Sequence, residues 1–184
     1  MRTNDPIRIL HLADLHLGWR PPEGAPEWAW QIAEERDAVL PRIIEFCLNP
    51  ESSPDLVIIA GDLFESHRPD SKLVASVKAG LKRLTERVPP LHVVCVPGNH
   101  DELTHHNSVY REHGADWPGV LVTNPNPERV ASFDVRGIQV HVYSLAYVGG
   151  LTRLRPAIED LPRSDLPGLR IGVFHGSLDW DSGE

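Results

Sequence analysis

Aspartate, histidine and asparagine recur at one kind of place in this chain, just after a short apolar run. Asp14-x-His16 follows Ile7–Leu12, and Gly61-Asp62 follows Leu56–Ala60. Gly98-Asn99-His100-Asp101 follows His92–Val96, and His175-Gly176 follows Leu169–Phe174. These side chains offer oxygen and imidazole nitrogen and no thiolate, a donor set for a divalent cation. Two-residue spacing in extended chain puts Asp14 and His16 on one side, within reach of a single ion. Asp62 carries two oxygens and can bridge two cations; Asn99 adds a neutral carbonyl oxygen and His175 an imidazole nitrogen. Mixed nitrogen and oxygen ligation suits Mn²⁺, Fe or Zn²⁺, with Mg²⁺ also admissible, more than Ca²⁺. Two such ions about 3.5–4 Å apart polarise a phosphoryl oxygen and activate a bridging water. His100 is then free to face a substrate, where it would stabilise developing charge or protonate a leaving oxygen.

Residues of this kind must be delivered by secondary structure. Ile7–Leu12 reads as a buried first strand, followed by a Gly/Pro-rich loop over 17–26 with Trp19 and Arg20. From Trp28 to Leu48 the spacing suits an amphipathic helix with Ile32, Val39, Ile43 and Phe46 on its inner face, kinked or restarted at Pro41. Leu56–Ala60 is a parallel-type strand. Asp70-Ser71 caps a helix over 72–87 with Leu73, Val77, Leu81 and Leu84 inward, ended by Pro89-Pro90. His92–Val96 is the third strand. This β-α-β-α-β order implies right-handed crossovers and a mostly parallel sheet, with ligands gathering at the carboxyl ends of its strands. Beyond Asp101, 120–122, 129–135 and 138–143 read as short antiparallel strands of a second sheet, with a turn at Arg136-Gly137. A short helix is expected over 151–158, and 169–174 returns to the core pattern.

Composition bounds the rest. At 184 residues and 20.5 kDa the chain is of single-domain size, and 41% hydrophobic with 24% charged residues is ordinary for a globular protein. Nothing resembles a secretory leader, and no apolar run is long enough to cross a bilayer, so a cytoplasmic protein without membrane attachment is expected. Cys47 and Cys95 are expected as buried reduced thiols. The formal charge of −8 excludes a domain that grips nucleic acid by a basic face alone. Two divalent cations would offset about four of those charges by simple counting. On a DNA substrate, the grip would come from elsewhere.

Taken together, the series Asp-x-His, Gly-Asp, Gly-Asn-His-Asp and His-Gly resembles the calcineurin-like metallophosphoesterase superfamily. Ile9-Leu10-His11-Leu12-Ala13-Asp14-Leu15-His16-Leu17-Gly18 and Asp55-Leu56-Val57-Ile58-Ile59-Ala60-Gly61-Asp62-Leu63-Phe64 are similar to its SbcD/Mre11-type DNA-repair nuclease branch. The resemblance runs from Ile7 to Gly176. It implies an α/β fold, the αββα sandwich of that superfamily, with residues 1–184 as one C-terminally incomplete catalytic domain. It also implies metal-dependent hydrolysis of DNA phosphodiester bonds at a two-ion site, most naturally with Mn²⁺, alongside an SbcC/Rad50-like ATPase and as a homodimer. Within that scheme Asp14, His16 and Asp62 hold one ion, and Asp62, Asn99 and His175 the second. His100 is the histidine that holds no metal, and Asp101 orients it.

Two departures stand out. The superfamily supplies a further Gly-His-x-His after the position of His175, and the chain contains none, so weak or single-ion occupancy and little nuclease activity are expected of these residues alone. Archaeal-type members also place a histidine shortly after Gly-Asp, where this chain has Glu65, with His67 two further on, a lean toward the bacterial relatives. A non-catalytic scaffold of the same fold and a small-molecule phosphodiesterase or phosphatase are the competing readings. Other polar residues read as structural: His105-His106 as a solvated loop, His11 and His92 as strand residues, Arg20 and Arg68 as surface residues near the site. Trp19, Trp28 and Trp30 read as packing of the first loop on the helix rather than as base-stacking groups.

Overall fold

The structure, a computed structural model, describes residues 6–149, 162 and 165–176. Four parallel strands make the first sheet in the order β1-β2-β3-β4: β1 Ile9–Leu12, β2 Leu56–Ala60, β3 His92–Val96 and β4 Val120–Leu121. β2 and β3 are central and covered on both faces, which is why they read as unbroken apolar runs rather than alternating ones. Every residue of β2 is buried. β1 lies at the edge, with Ile9 and His11 exposed and Leu10 and Leu12 half-buried, and so differs from the buried strand expected. β4 also departs from expectation: Val120 and Leu121 pair with Val94 and Cys95 in parallel, extending the first sheet instead of opening the second.

The second sheet holds β5 Glu128–Val135, β6 Ile138–Ser144 and β7 Leu169–Val173. β5 and β6 form the expected hairpin; Arg136 and Gly137 both have left-handed φ (55° and 80°), the two-residue geometry whose twist matches paired strands. β7 runs parallel to β6, so His175 reaches the first sheet from the second. His92 of β3 stacks on Phe133 of β5, with centroids 4.2 Å apart, a structural contact between the sheets. The helix expected over 151–158 lies outside the described residues.

The crossover segments are helical, as their patterns require. Helix α3, Ser71–Thr85, is capped by the Asp70 carboxylate, which accepts from Lys72 N (2.8 Å) and Leu73 N (3.4 Å). Its inward face is Val74, Val77, Leu81 and Leu84, with Val74 in the place expected for Leu73. The first crossover divides into α1, Glu27–Asp37, and α2, Val39–Leu48, and Pro41 falls in the first turn of α2, where its missing N–H costs nothing. That break resets the helical phase. Ala29, Ala33, Leu40, Ile44 and Cys47 are buried, whereas Ile32 (46% exposed) and Phe46 (49%), expected inside, face solvent. Both cysteines are free and buried, as expected.

The corrected phase has a measurable consequence. Ile44→Ala should lower unfolding stability by about 2–5 kcal/mol, as core truncations do, while Ile32→Ala should change it by no more than about 0.5 kcal/mol. Urea denaturation of the two variants checks this, and the reverse order would restore Ile32 to the inner face.

Candidate metal centre

The parallel ladder does not stop where the strands end. Asp14 N donates to Gly61 O (3.2 Å), His16 N to Asp62 O (2.9 Å), Leu17 N to Leu63 O (2.9 Å) and Glu65 N to Leu17 O (3.0 Å). Two post-strand loops therefore run side by side and hold their polar side chains in register. The cost is visible in the backbone. Among the described residues only Asp14, His16, Asp62 and Arg136 combine a side chain with positive φ, and the first three (56°, 47° and 51°) are candidate ligands. Left-handed φ is disfavoured for residues with a Cβ and gathers at functional sites.

The structure brings the candidate donors together around Asp62, which is 3% exposed. Asp62 Oδ2 lies 3.7 Å from His16 Nε2 and 3.5 Å from His175 Nε2, while Oδ1 accepts from His100 N at 2.9 Å. His16 Nε2 is also 3.9 Å from Asp14 Oδ1, and His175 Nε2 is 2.9 Å from Asn99 Oδ1. One ligand atom each from Asp14, Asp62 and His175 lie within 4.8 Å of one another, as do those of His16, Asp62 and His100. Asp62 belongs to both groups. The first group sets Asp14 beside His175, while separations of 3.9 and 3.7 Å also keep Asp14 and Asp62 beside His16, the grouping expected; His100, expected outside the ligand set, lies close to the second group.

Two glycines make room for this convergence. A Cβ on Gly98 would overlap the Asp62 carboxylate, and one on Gly61, which has φ +91°, would overlap the His175 ring. The imidazoles share one orientation rule. His175 Nδ1 donates to Ala60 O and His100 Nδ1 to Glu65 O, both at 2.9 Å, and His16 Nδ1 lies 2.9 Å from Glu65 Oε2. For His16 and His175, Nε2 is thereby left facing the carboxylates, the arrangement of a metal-binding histidine. The charge balance agrees. Asp62 raises the His175 pKa to about 9, against burial, with Ala60 O adding to the rise. Burial alone would raise the pKa of Asp62, yet His175 and the His100 N–H hold it below the usual carboxylate range. Positive charge is favoured at the point where these groups meet, and the donor set fits divalent cations.

Asp101 lies elsewhere than on His100. Its carboxylate is fully buried and accepts from Gly98 N (2.7 Å), Phe64 N (3.1 Å) and Tyr110 Oη (2.8 Å). The ring nitrogen of His100 rests on the carbonyl of Glu65. Sequence reasoning misses Glu65 as a site residue because its position follows from the extended ladder, which no strand pattern signals. His67, left without a role by the sequence, stacks on His105 with centroids 3.9 Å apart, and His105 Nε2 is 3.6 Å from Glu102. Arg20 is paired with Asp37 at 2.7 Å. Arg36 covers the Trp19 ring, as loop-on-helix packing requires, but Trp28 and Trp30 are exposed, contrary to the packing expected of them.

Comparison with known proteins follows these residues. A sequence profile described as calcineurin-like phosphoesterase matches residues 7–182. The chain is 30% identical over 175 residues to the SbcD component of the SbcCD nuclease of Rhodobacter capsulatus, covering 93% of this chain and 39% of that protein. It is 32% identical over 97 residues to the DNA double-strand break repair protein Mre11 of Methanococcus maripaludis, covering 52% of this chain and 23% of that one. The chain thus spans well under half the length of either relative. Among solved structures, the Pseudomonas putida nuclease MPE aligns with a TM-score of 0.40 and 24% identity, over 65% of this chain and 49% of that one.

Strain at the ligand positions yields a stability test. Asp14 has a largely exposed side chain, so Asp14→Gly loses little packing. It should relieve roughly 1–3 kcal/mol of left-handed strain against about 0.4–1 kcal/mol of added unfolded-state entropy. The expected outcome is a gain of about 1 kcal/mol, read by thermal unfolding in a chelator. A loss of stability would show that φ near 56° at this position is unstrained.

Proposed function

The chain belongs to the calcineurin-like phosphoesterase family, and from that premise we propose that it hydrolyses DNA phosphodiester bonds at a centre holding two divalent cations, most naturally Mn²⁺. The observation that carries this reading is the Asp62 carboxylate, 3.7 Å from one imidazole and 3.5 Å from another, between two groups of donors. In this reading Asp14, His16 and Asp62 hold one cation, and Asp62, Asn99 and His175 hold the other. Bound there, divalent cations supply Lewis acidity toward a phosphoryl oxygen and toward water.

The protein's own groups do the rest. Asp62 supplies the shared negative charge, and its shielding from solvent strengthens its pull on cations. The Nδ1–H bond of His100 to Glu65 O fixes the ring, leaving its other nitrogen, when the ring holds a second proton, to meet charge on a phosphoryl oxygen or to pass that proton to the leaving oxygen. Asp101 acts at one remove, by fixing Gly98 and hence the loop that carries Asn99 and His100. DNA as the substrate is supported by one relative named as a nuclease subunit and another named as a DNA double-strand break repair protein. The acidic balance of the chain supports a partner that shares the grip on the polyanion, in this reading an SbcC/Rad50-like ATPase. Among the described residues no helix is long and apolar enough to cross a membrane.

The bridging role predicts an asymmetry between variants. Asp62→Asn should weaken both cation sites, whereas His16→Ala should mainly weaken one, as measured by calorimetric titration with Mn²⁺. Unchanged stoichiometry and affinity in Asp62→Asn would refute bridging.

The substrate is tested by hydrolysis of single- and double-stranded DNA, a cyclic nucleotide and a phosphomonoester at matched Mn²⁺. Cleavage of DNA in preference to the small esters is expected, slow for these residues alone, and its loss in His100→Ala with Mn²⁺ binding retained. Turnover of the small esters with none of DNA would overturn the nuclease reading.

A further inference from the structure

We propose that Glu65 is a positioning residue that sets the tautomers of two histidines with two different groups. The inference rests on reading the Asp62 cluster as a cation centre. Its carboxylate Oε2 lies 2.9 Å from His16 Nδ1, and its backbone carbonyl accepts from His100 Nδ1 at 2.9 Å. A carboxylate and a carbonyl can only accept, so His100 Nδ1 must carry the proton, and the Glu65 carboxylate favours the proton on His16 Nδ1 as well. The lone pair of His16 is then confined to Nε2, the nitrogen that faces Asp14 and Asp62 at 3.9 and 3.7 Å. As placed, His16 Nδ1 is buried and makes no hydrogen bond among the described residues. The carboxylate sits close to it but off the N–H line, so a small turn of the Glu65 side chain completes the bond, and such bonds tighten when the site is loaded.

The backbone makes the placement obligatory. Glu65 N donates to Leu17 O and Leu17 N to Leu63 O, which locks Glu65 beside the turn that bears His16. The two rings meet edge to face with centroids 4.6 Å apart, so one residue can serve both. A carboxylate behind a metal-binding imidazole raises its basicity and fixes its ring, and loss of such a partner typically lowers metal affinity roughly 10–100-fold.

The test uses the ¹⁵N-histidine-labelled chain, wild type, Glu65→Ala and Glu65→Gln, with imidazole tautomers read by long-range ¹H–¹⁵N correlation and Mn²⁺ affinity by calorimetry. In wild type His16 should be Nδ1–H. In Glu65→Ala it should become a mixture of tautomers, with Mn²⁺ binding weakened roughly 10–100-fold. Glu65→Gln, whose amide oxygen still accepts, should retain most of both. His100 should stay Nδ1–H in all three, because its acceptor is main chain. An unchanged His16 tautomer together with unchanged affinity in Glu65→Ala would overturn the proposal. So would simultaneous loss of the His100 signature, which marks general loosening; should Glu65→Ala not fold, Glu65→Gln matching wild type in neither property would do the same. If wild type binds no Mn²⁺, the cation reading fails, and the His16 tautomers still decide the role of Glu65.

Discussion

One buried carboxylate underlies the arrangement of the centre. Asp101 has no contact with solvent, and burial pushes its pKa up, with the charge of Asp62 adding to the rise. It is held by three donors from separate segments: Gly98 N after β3, Phe64 N after β2, and the Tyr110 hydroxyl of α4, Val109–His113. A buried charge is tolerable only when its acceptor sites are filled. The three segments must therefore come together for Asp101 to be buried at all. The loop that supplies Asn99 and His100 and the loop that supplies Asp62 and Glu65 cannot drift apart without exposing it. Phe64, Tyr110 and Trp117, packed ring against ring beneath these loops, give this anchor its apolar floor.

On that platform the ligand-bearing loops are extended rather than coiled. The pairing of 14–17 with 61–65 continues the β1–β2 ladder past the strands through three left-handed residues. Side chains that would alternate along an ordinary strand are turned instead toward one point. Gly61 and Gly98 keep that point open, since a side chain on either would occupy the space of His175 or Asp62. His175 arrives from the other sheet and closes the cluster through Ala60 O. The centre is thus a seam between two sheets, held from below by Asp101.

Much of this was legible in the sequence because burial on both faces leaves a plain mark. Leu56–Ala60 and His92–Val96 are unbroken apolar runs, and the polar residues after them could only lie at strand ends. What the sequence hid were features set by register and phase. A single break near Ala38 turned the buried face of α1 and α2 from Ile32 and Phe46 to Ala33 and Ile44. Two residues of pairing drew Val120 and Leu121 into the first sheet. The roles of Asp101 and Glu65 depended on contacts between loops 37 and 49 residues apart in sequence (64 to 101 and 16 to 65), which no local pattern encodes.

The Asp101 knot also reverses an ordinary expectation about loops. Amides in connecting segments generally exchange their hydrogens quickly, because small local openings expose them. Gly98 N and Phe64 N are loop amides, yet neither can open without stripping a buried carboxylate of one of its three donors. Their exchange is expected to follow the opening of the core itself. The slow-exchanging set should then extend past the ends of β2 and β3, to two backbone protons outside any strand that keep time with global unfolding.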